Sequence, residues 1–170
     1  DQILRSGLTH DLNLNISGQS KGFDYSVSGG FLSQDGIING SDYSRYTVKA
    51  NINKQVKPWL KFGTSVSGTF ANSNVLKTAT NNKNNGTEGV VRSAITYPAS
   101  QTQEDLDNEY SMVAVPTRYI NALNENRNMT FRTSNYLNIS LADGLIFRTV
   151  LGYNYTRNDA NKYWPSYLAE

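Results

Sequence analysis

Cysteine is absent from this 170-residue chain, so it holds no disulfide frame and no thiolate metal site. Long apolar runs are missing too: nothing approaches the roughly 20 residues that a membrane-crossing helix requires. Histidine occurs once, as His10. It begins a strand with no cysteine or second histidine beside it, so no metal site is expected, and as the sole candidate base it offers no Ser-His-Asp triad. Charge is sparse and nearly balanced, at 18% of residues and a net of +2. There is no Lys/Arg cluster, so no nucleic-acid partner is expected. A glycine-rich phosphate loop is lacking; Gly29-Gly30 lies inside an alternating segment, where glycine permits bending or close packing. The acids Glu104, Asp105, Asp107 and Glu109 fall in a polar stretch. Adjacent carboxylates on a loop do not hold the separation a glycosidase needs, so they read as solvated or at most a Ca²⁺ contact. No enzyme and no cofactor is expected.

What is present is alternation. In Arg45 to Val56, Tyr46, Val48, Ala50, Ile52 and Val56 fall on one side. Arg45, Thr47, Lys49, Asn51, Asn53 and Gln55 fall on the other. Period two over that length predicts a strand with one apolar and one wet face. The same reading gives strands at about 10–18, 23–32, 43–56, 60–71, 128–141 and 145–157. In the fifth of these, Asn135 interrupts the apolar phase, and a bulge there is left open. Short connections at Gly18 to Gly22, Lys57-Pro58-Trp59 and Ala142-Asp143-Gly144 alternate with long ones, at Ser33 to Asp42 and about 74–126. Six Asn-x-Ser/Thr matches are a by-product of alternation in an Asn-rich chain and carry no weight.

Strands that cross a membrane in antiparallel order put all short turns on one side and all long loops on the other. The expected fold is therefore all-β: an antiparallel, up-and-down transmembrane β-barrel segment of about six strands. Its one long extracellular loop is partly helical, with a helix over Thr87 to Ile95 capped by Thr87, and a helical turn at Tyr119 to Leu123. A mean hydropathy of −0.53 does not exclude this, since half of each strand faces water. The alternative is a soluble or cell-surface β-sandwich binding carbohydrate or a protein partner. It has no reason to sort its loops by length, and it would stay monomeric without detergent.

In the barrel reading, Lys49, Asn51, Asn53, Lys61, Ser65, Arg132, Asn138 and Arg148 face the lumen, where they line a substrate path or hydrogen-bond a plug. The plug is favoured, because it needs many polar partners at the wall. Tyr43, Tyr46, Trp59 and Tyr155 lie near strand ends and form the interfacial aromatic girdles. Tyr97, Tyr110 and Tyr119, with Tyr163 and Trp164, are loop aromatics that pack the loop or contact substrate or a lid.

These residues resemble the SusC/RagA-like family of TonB-dependent outer-membrane transporters. The resemblance rests on His10-Asp11-Leu12-Asn13-Leu14-Asn15-Ile16-Ser17-Gly18 followed by Tyr25, and on Gln34-Asp35-Gly36-Ile37, Arg45-Tyr46 and Trp59-Leu60-Lys61-Phe62-Gly63. Asn126-Arg127, Gly144-Leu145-Ile146-Phe147-Arg148 and Leu151-Gly152 continue it in order. Gly30-Phe31 stands where the family often has Gly-Tyr, and Lys49-Ala50-Asn51 where Arg-x-Asn is common. The resemblance implies a barrel of about 22 strands with a plug. It implies TonB-driven uptake of oligosaccharide or peptide fragments, a SusD-like surface lipoprotein as lid, and outer-membrane lipid of a Gram-negative, Bacteroidetes-like cell as surroundings. A siderophore-type receptor is a weaker reading. The chain opens at Asp1-Gln2-Ile3-Leu4-Arg5 and ends at Glu170 without a closing aromatic, so an internal piece lacking plug, TonB-binding segment and remaining strands is expected.

Overall fold

Lys21 and Gly22 make the first reversal. Both take positive φ, 38° and 74°, as a two-residue turn requires when its twist must match that of the strands it joins. Glycine tolerates this because it has no Cβ. The turn joins β1 (Thr9–Ser20) to β2 (Phe23–Asp35). Pro58-Trp59 joins β3 (Asp42–Lys57) to β4 (Leu60–Asn74), and Asp143-Gly144 joins β5 (Leu123–Ala142) to β6 (Leu145–Tyr163). The other connections are residues 36–41 and 75–122, so tight turns and longer loops lie at opposite ends. The computed structural model describes residues 3–76, 89–96, 121–163 and 165.

Six strands form one sheet in the order β1-β2-β3-β4-β5-β6, every neighbour antiparallel. The register is unbroken except beside two tight turns, at Gln55/Lys57 and Ser140/Ala142. No second sheet covers the first among the described residues. Leu14 is 67% exposed, Val48 60% and Leu151 74%. A β-sandwich would bury such residues between layers about 10 Å apart, so that expectation is corrected.

Every strand is longer than its alternation suggested, mostly toward the long-loop end. β5 begins at Leu123 rather than about 128, and β6 runs to Tyr163 rather than about 157. Alternation marks a strand only where one face meets an apolar medium. Beyond that zone both faces are wet, while the backbone ladder continues: Glu125 pairs with Asn74 and Asn161.

Buried apolar side chains sit at the long-loop end. Val90 and Ala122 form a small cluster with Ile3, Ile38 and Val91. Val90 opens α1 (Val90–Thr96), a seven-residue helix. Thr87, its expected cap, lies outside the described residues. Of the expected partly helical loop, the described residues show this helix and a 3₁₀ conformation at Asn121. Leu123, expected in a second helical turn, instead pairs with Tyr163, because the ladder satisfies its backbone better than an isolated turn. Arg5 clasps residues 36–41. Its Nε and Nη2 donate to the Gly36 and Ser41 carbonyls at 3.0 and 2.8 Å, and Nη2 lies 3.7 Å from the Asp35 carboxylate.

Candidate functional site

Directly paired residues of neighbouring strands project to the same face, so register alone sorts the side chains. One face is apolar. Leu12, Phe31, Tyr46, Phe70 and Met129 make a row across it, ending at Arg157. Phe31 and Tyr46 rings lie 4.9 Å apart, and Tyr46 and Phe70 rings 6.5 Å. The next row toward the long loops is wholly polar: His10, Ser33, Ser44, Asn72, Arg127, Asp159. A change from aromatic to polar within one step is the pattern expected where an apolar band meets an interface. At the other end the apolar zone slides along the ladder. Ile16 is level with Tyr153, yet β6 stays apolar past that level to Leu151 and Phe147. A band crossing tilted strands produces such an offset.

The opposite face is polar. All eight residues singled out from sequence share it: Lys49 and Asn51, Asn53 across from Gly63, Lys61 opposite Asn138, Ser65 opposite Asn51, Arg132 opposite Ser67, and Arg148 opposite Asn138. Two shallow concavities open on this face, one of about 440 Å³ bordered by Asn15, Ser28, Arg45 and Thr47, the other of about 540 Å³ bordered by Ser65, Arg132, Ser134 and Asn154. Ser65 Oγ donates to Asn51 Oδ1 at 2.7 Å, and Arg132 Nε to Asn154 Oδ1 at 3.2 Å. Strand cations on this face are Arg45, Lys49, Lys61, Arg132, Arg148 and Lys162, against the acids Asp11 and Asp24. Asp24 Oδ1 and Asn138 Oδ1 are buried and have no hydrogen-bond partner among the described residues.

One feature of this face escaped the sequence. Tyr136 lies across β4 over Gly63, so close that a Cβ on Gly63 would run into the ring. Its hydroxyl donates to Asn53 Oδ1 at 2.7 Å, two strands away, and the Arg148 guanidinium sits 5.0 Å from the ring centre. An aromatic covering a bare glycine pins register between strands. The signal was a tyrosine in polar phase among Ser134 and Asn138; its partner glycine is distant in sequence.

The aromatic assignments divide. Tyr46 and Tyr155 lie on the apolar face, and Trp59 is 47% exposed at a tight turn. Tyr43 is corrected: it pairs with Gln34 and Ser73 and so shares the polar face of Arg45 and Thr47. No bulge rescues Asn135. It stays on the apolar face between Thr64 and Leu151, its Nδ2 3.4 Å from Thr133 Oγ1. Tyr97, Tyr110, Tyr119 and Trp164 lie outside the described residues, as do Glu104, Asp105, Asp107 and Glu109. Among the described residues no three His, Cys, Asp or Glu side chains gather as metal ligands.

No family model matches the sequence. The chain is similar to TonB-dependent receptor P3 of Formosa agariphila, 25% identical over 98% of this chain and 17% of that protein. It is similar to TonB-dependent receptor P39 of the same organism, 27% identical over 97% of this chain and 16% of that protein. It thus spans about a sixth of the length of these relatives. Among solved structures, the RagAB peptide importer in its closed-closed and open-open states matches with TM-scores of 0.69 and 0.70, at 17% identity over 92% of this chain and 18% of that one. The fold is that of a stretch of the importer's sheet. Along nearly its whole length the chain is similar to TonB-dependent receptors, and its six-stranded antiparallel sheet, with one apolar and one polar face, has the fold of part of the RagAB importer's β-barrel.

Proposed function

We propose that the chain is a wall segment of a TonB-driven importer of oligosaccharide or peptide fragments in the outer membrane of a Bacteroidetes-type cell. The observation that carries this is the uncovered apolar face, bounded by an aromatic row and then by a wholly polar one. Its apolar residues meet acyl chains. The free edges of β1 and β6 pair with further strands, since unpaired N–H and C=O groups cost several kcal/mol each in hydrocarbon. Lys49, Asn51, Asn53, Lys61, Ser65, Arg132, Asn138 and Arg148 face the lumen. Most of them meet a plug, which supplies donors to Asp24 Oδ1 and Asn138 Oδ1 and carboxylates to the surplus cations.

TonB engages through a part of the protein other than this segment. The cluster around Val90 lies on the extracellular side, beneath a SusD-like lipoprotein, and Tyr97, Tyr110 and Tyr119 are the proposed contacts to lid or cargo. The chain performs no covalent chemistry.

Deleting the gene in its native host should abolish uptake of fluorescently labelled oligosaccharides or peptides. The intact gene should restore it, and a version lacking the TonB-binding segment should not. Undiminished uptake in the deletion strain would refute the assignment.

A further inference from the structure

The outward cations are treated differently at the two ends of the sheet. At the long-loop end each apolar-face arginine has a protein carboxylate: Arg127 with Glu125 at 2.9 Å, and Arg157 with Asp159 at 2.9 Å. At the tight-turn end the apolar-face cations are Lys54 and Lys57, and among the described residues neither has an anionic partner. Each has an aromatic ring instead. Lys54 Nζ lies 5.5 Å from the Phe23 ring centre, and Lys57 Nζ 5.5 Å from that of Trp59.

Lys57 reaches this face only through the irregularity in β3. Regular alternation would put it on the face of Gln55; the slip pairs it with Leu60, on the face of Lys54 and Phe62. The nearby acids stand elsewhere, Asp24 on the polar face and Asp143 in the turn between β5 and β6. Two lysines and two rings therefore border the apolar band with no counter-ion of their own. Lysine stems lie along apolar surface while the ammonium reaches the headgroup layer, and a ring face beneath it leaves the outer hemisphere open to an anion.

We propose that Lys54 and Lys57, with Phe23 and Trp59, bind the phosphate of an anionic phospholipid in the leaflet on the tight-turn side. The inference rests on the apolar face meeting lipid, as proposed above. Arg127 and Arg157, already neutralised, hold no such lipid.

The test uses the full-length transporter containing this chain, purified in detergent and offered dioleoylphosphatidylglycerol and dioleoylphosphatidylcholine in equal amounts, with retained lipid read by native mass spectrometry. K54Q/K57Q should lose a retained phosphatidylglycerol, its affinity falling about fivefold for one lysine and about thirtyfold for both. K54R/K57R and R127Q/R157Q should keep it. Wild-type protein should lose the preference near 1 M salt, where the Debye length is about 3 Å; this arm holds even if the glutamine variant fails to fold. Unchanged phosphatidylglycerol in folded K54Q/K57Q, equal loss of both lipids, or displacement by excess inorganic phosphate would each overturn the proposal.

A nitroxide on Val48→Cys separates the two readings. Accessible to oxygen but not to a water-soluble nickel chelate, it supports the lipid-facing assignment. With that result, a failed lipid assay sinks only the headgroup site. A label in water sinks both.

Discussion

Replacing Ala50 with arginine should cost far more stability than replacing its neighbour Asn51. On β3 the apolar zone runs from Tyr46, in the aromatic row, to Lys54, in the row of Phe62 and Leu137. At about 3.3 Å per residue that is about 26 Å along the strand, or about 20 Å along the membrane normal at a tilt of about 40°. Ala50 is the midpoint, and Val48 lies about 5 Å nearer the long-loop end of the band. A lipid-facing arginine costs about 2–4 kcal/mol at the midplane and about 0–1 near the interfaces. Ala50→Arg should therefore cost about 3–4 kcal/mol and Val48→Arg about 2–3. Asn51→Arg should stay within about 1 kcal/mol, because its face is polar and already carries Lys49 and Arg45. The assay is denaturant titration of the full-length barrel in lipid vesicles, followed by heat-dependent electrophoretic mobility. If Asn51→Arg proves the most damaging of the three, the faces have been assigned backwards, and the lumen and lipid roles exchange.

Gly63→Val should drive the Tyr136 ring off β4 and break its bond to Asn53, costing about 1–3 kcal/mol by overpacking. Tyr136→Phe, which keeps the ring, should cost only about 0.5–1.5; a double-mutant cycle between them should show strong coupling. Asn135→Leu should raise the unfolding free energy by about 0.5–2 kcal/mol, and the midpoint with it, because the amide sits on the apolar face. A lower midpoint would mean that this position contacts protein rather than lipid. Arg5→Ala should leave the global midpoint nearly unchanged but speed amide exchange at residues 36–41 about tenfold, as two charge-assisted bonds to carbonyls are lost; unaltered exchange would show that the clasp is idle.

Alternation made β3 legible along almost its whole length, since Tyr46, Val48, Ala50 and Ile52 face an apolar medium and Lys49, Asn51 and Asn53 do not. The same rule failed at 123–127 and 158–163. There Glu125, Asn126, Asn158 and Asn161 continue the ladder with water on both sides, so side-chain chemistry carries no record of the pairing. Tyr43 was misplaced for a related reason. Nearness to a strand end was legible, but phase was not, because Asp42, Ser44 and Arg45 around it are all polar. Tyr136 and Gly63 lie far apart in sequence and meet only through the β4-β5 register.

By itself the sequence determined the strand count, the facing of most strand residues and the placement of tight turns at one end, because period-two chemistry and turn residues are local. Only the tertiary structure decided which residues stand level across the sheet. With that came the aromatic row and the polar row above it, the Tyr136 brace, the Arg5 clasp and the slip that turns Lys57 outward. Register is a property of pairs of strands, and no single strand encodes how far its neighbour has slid.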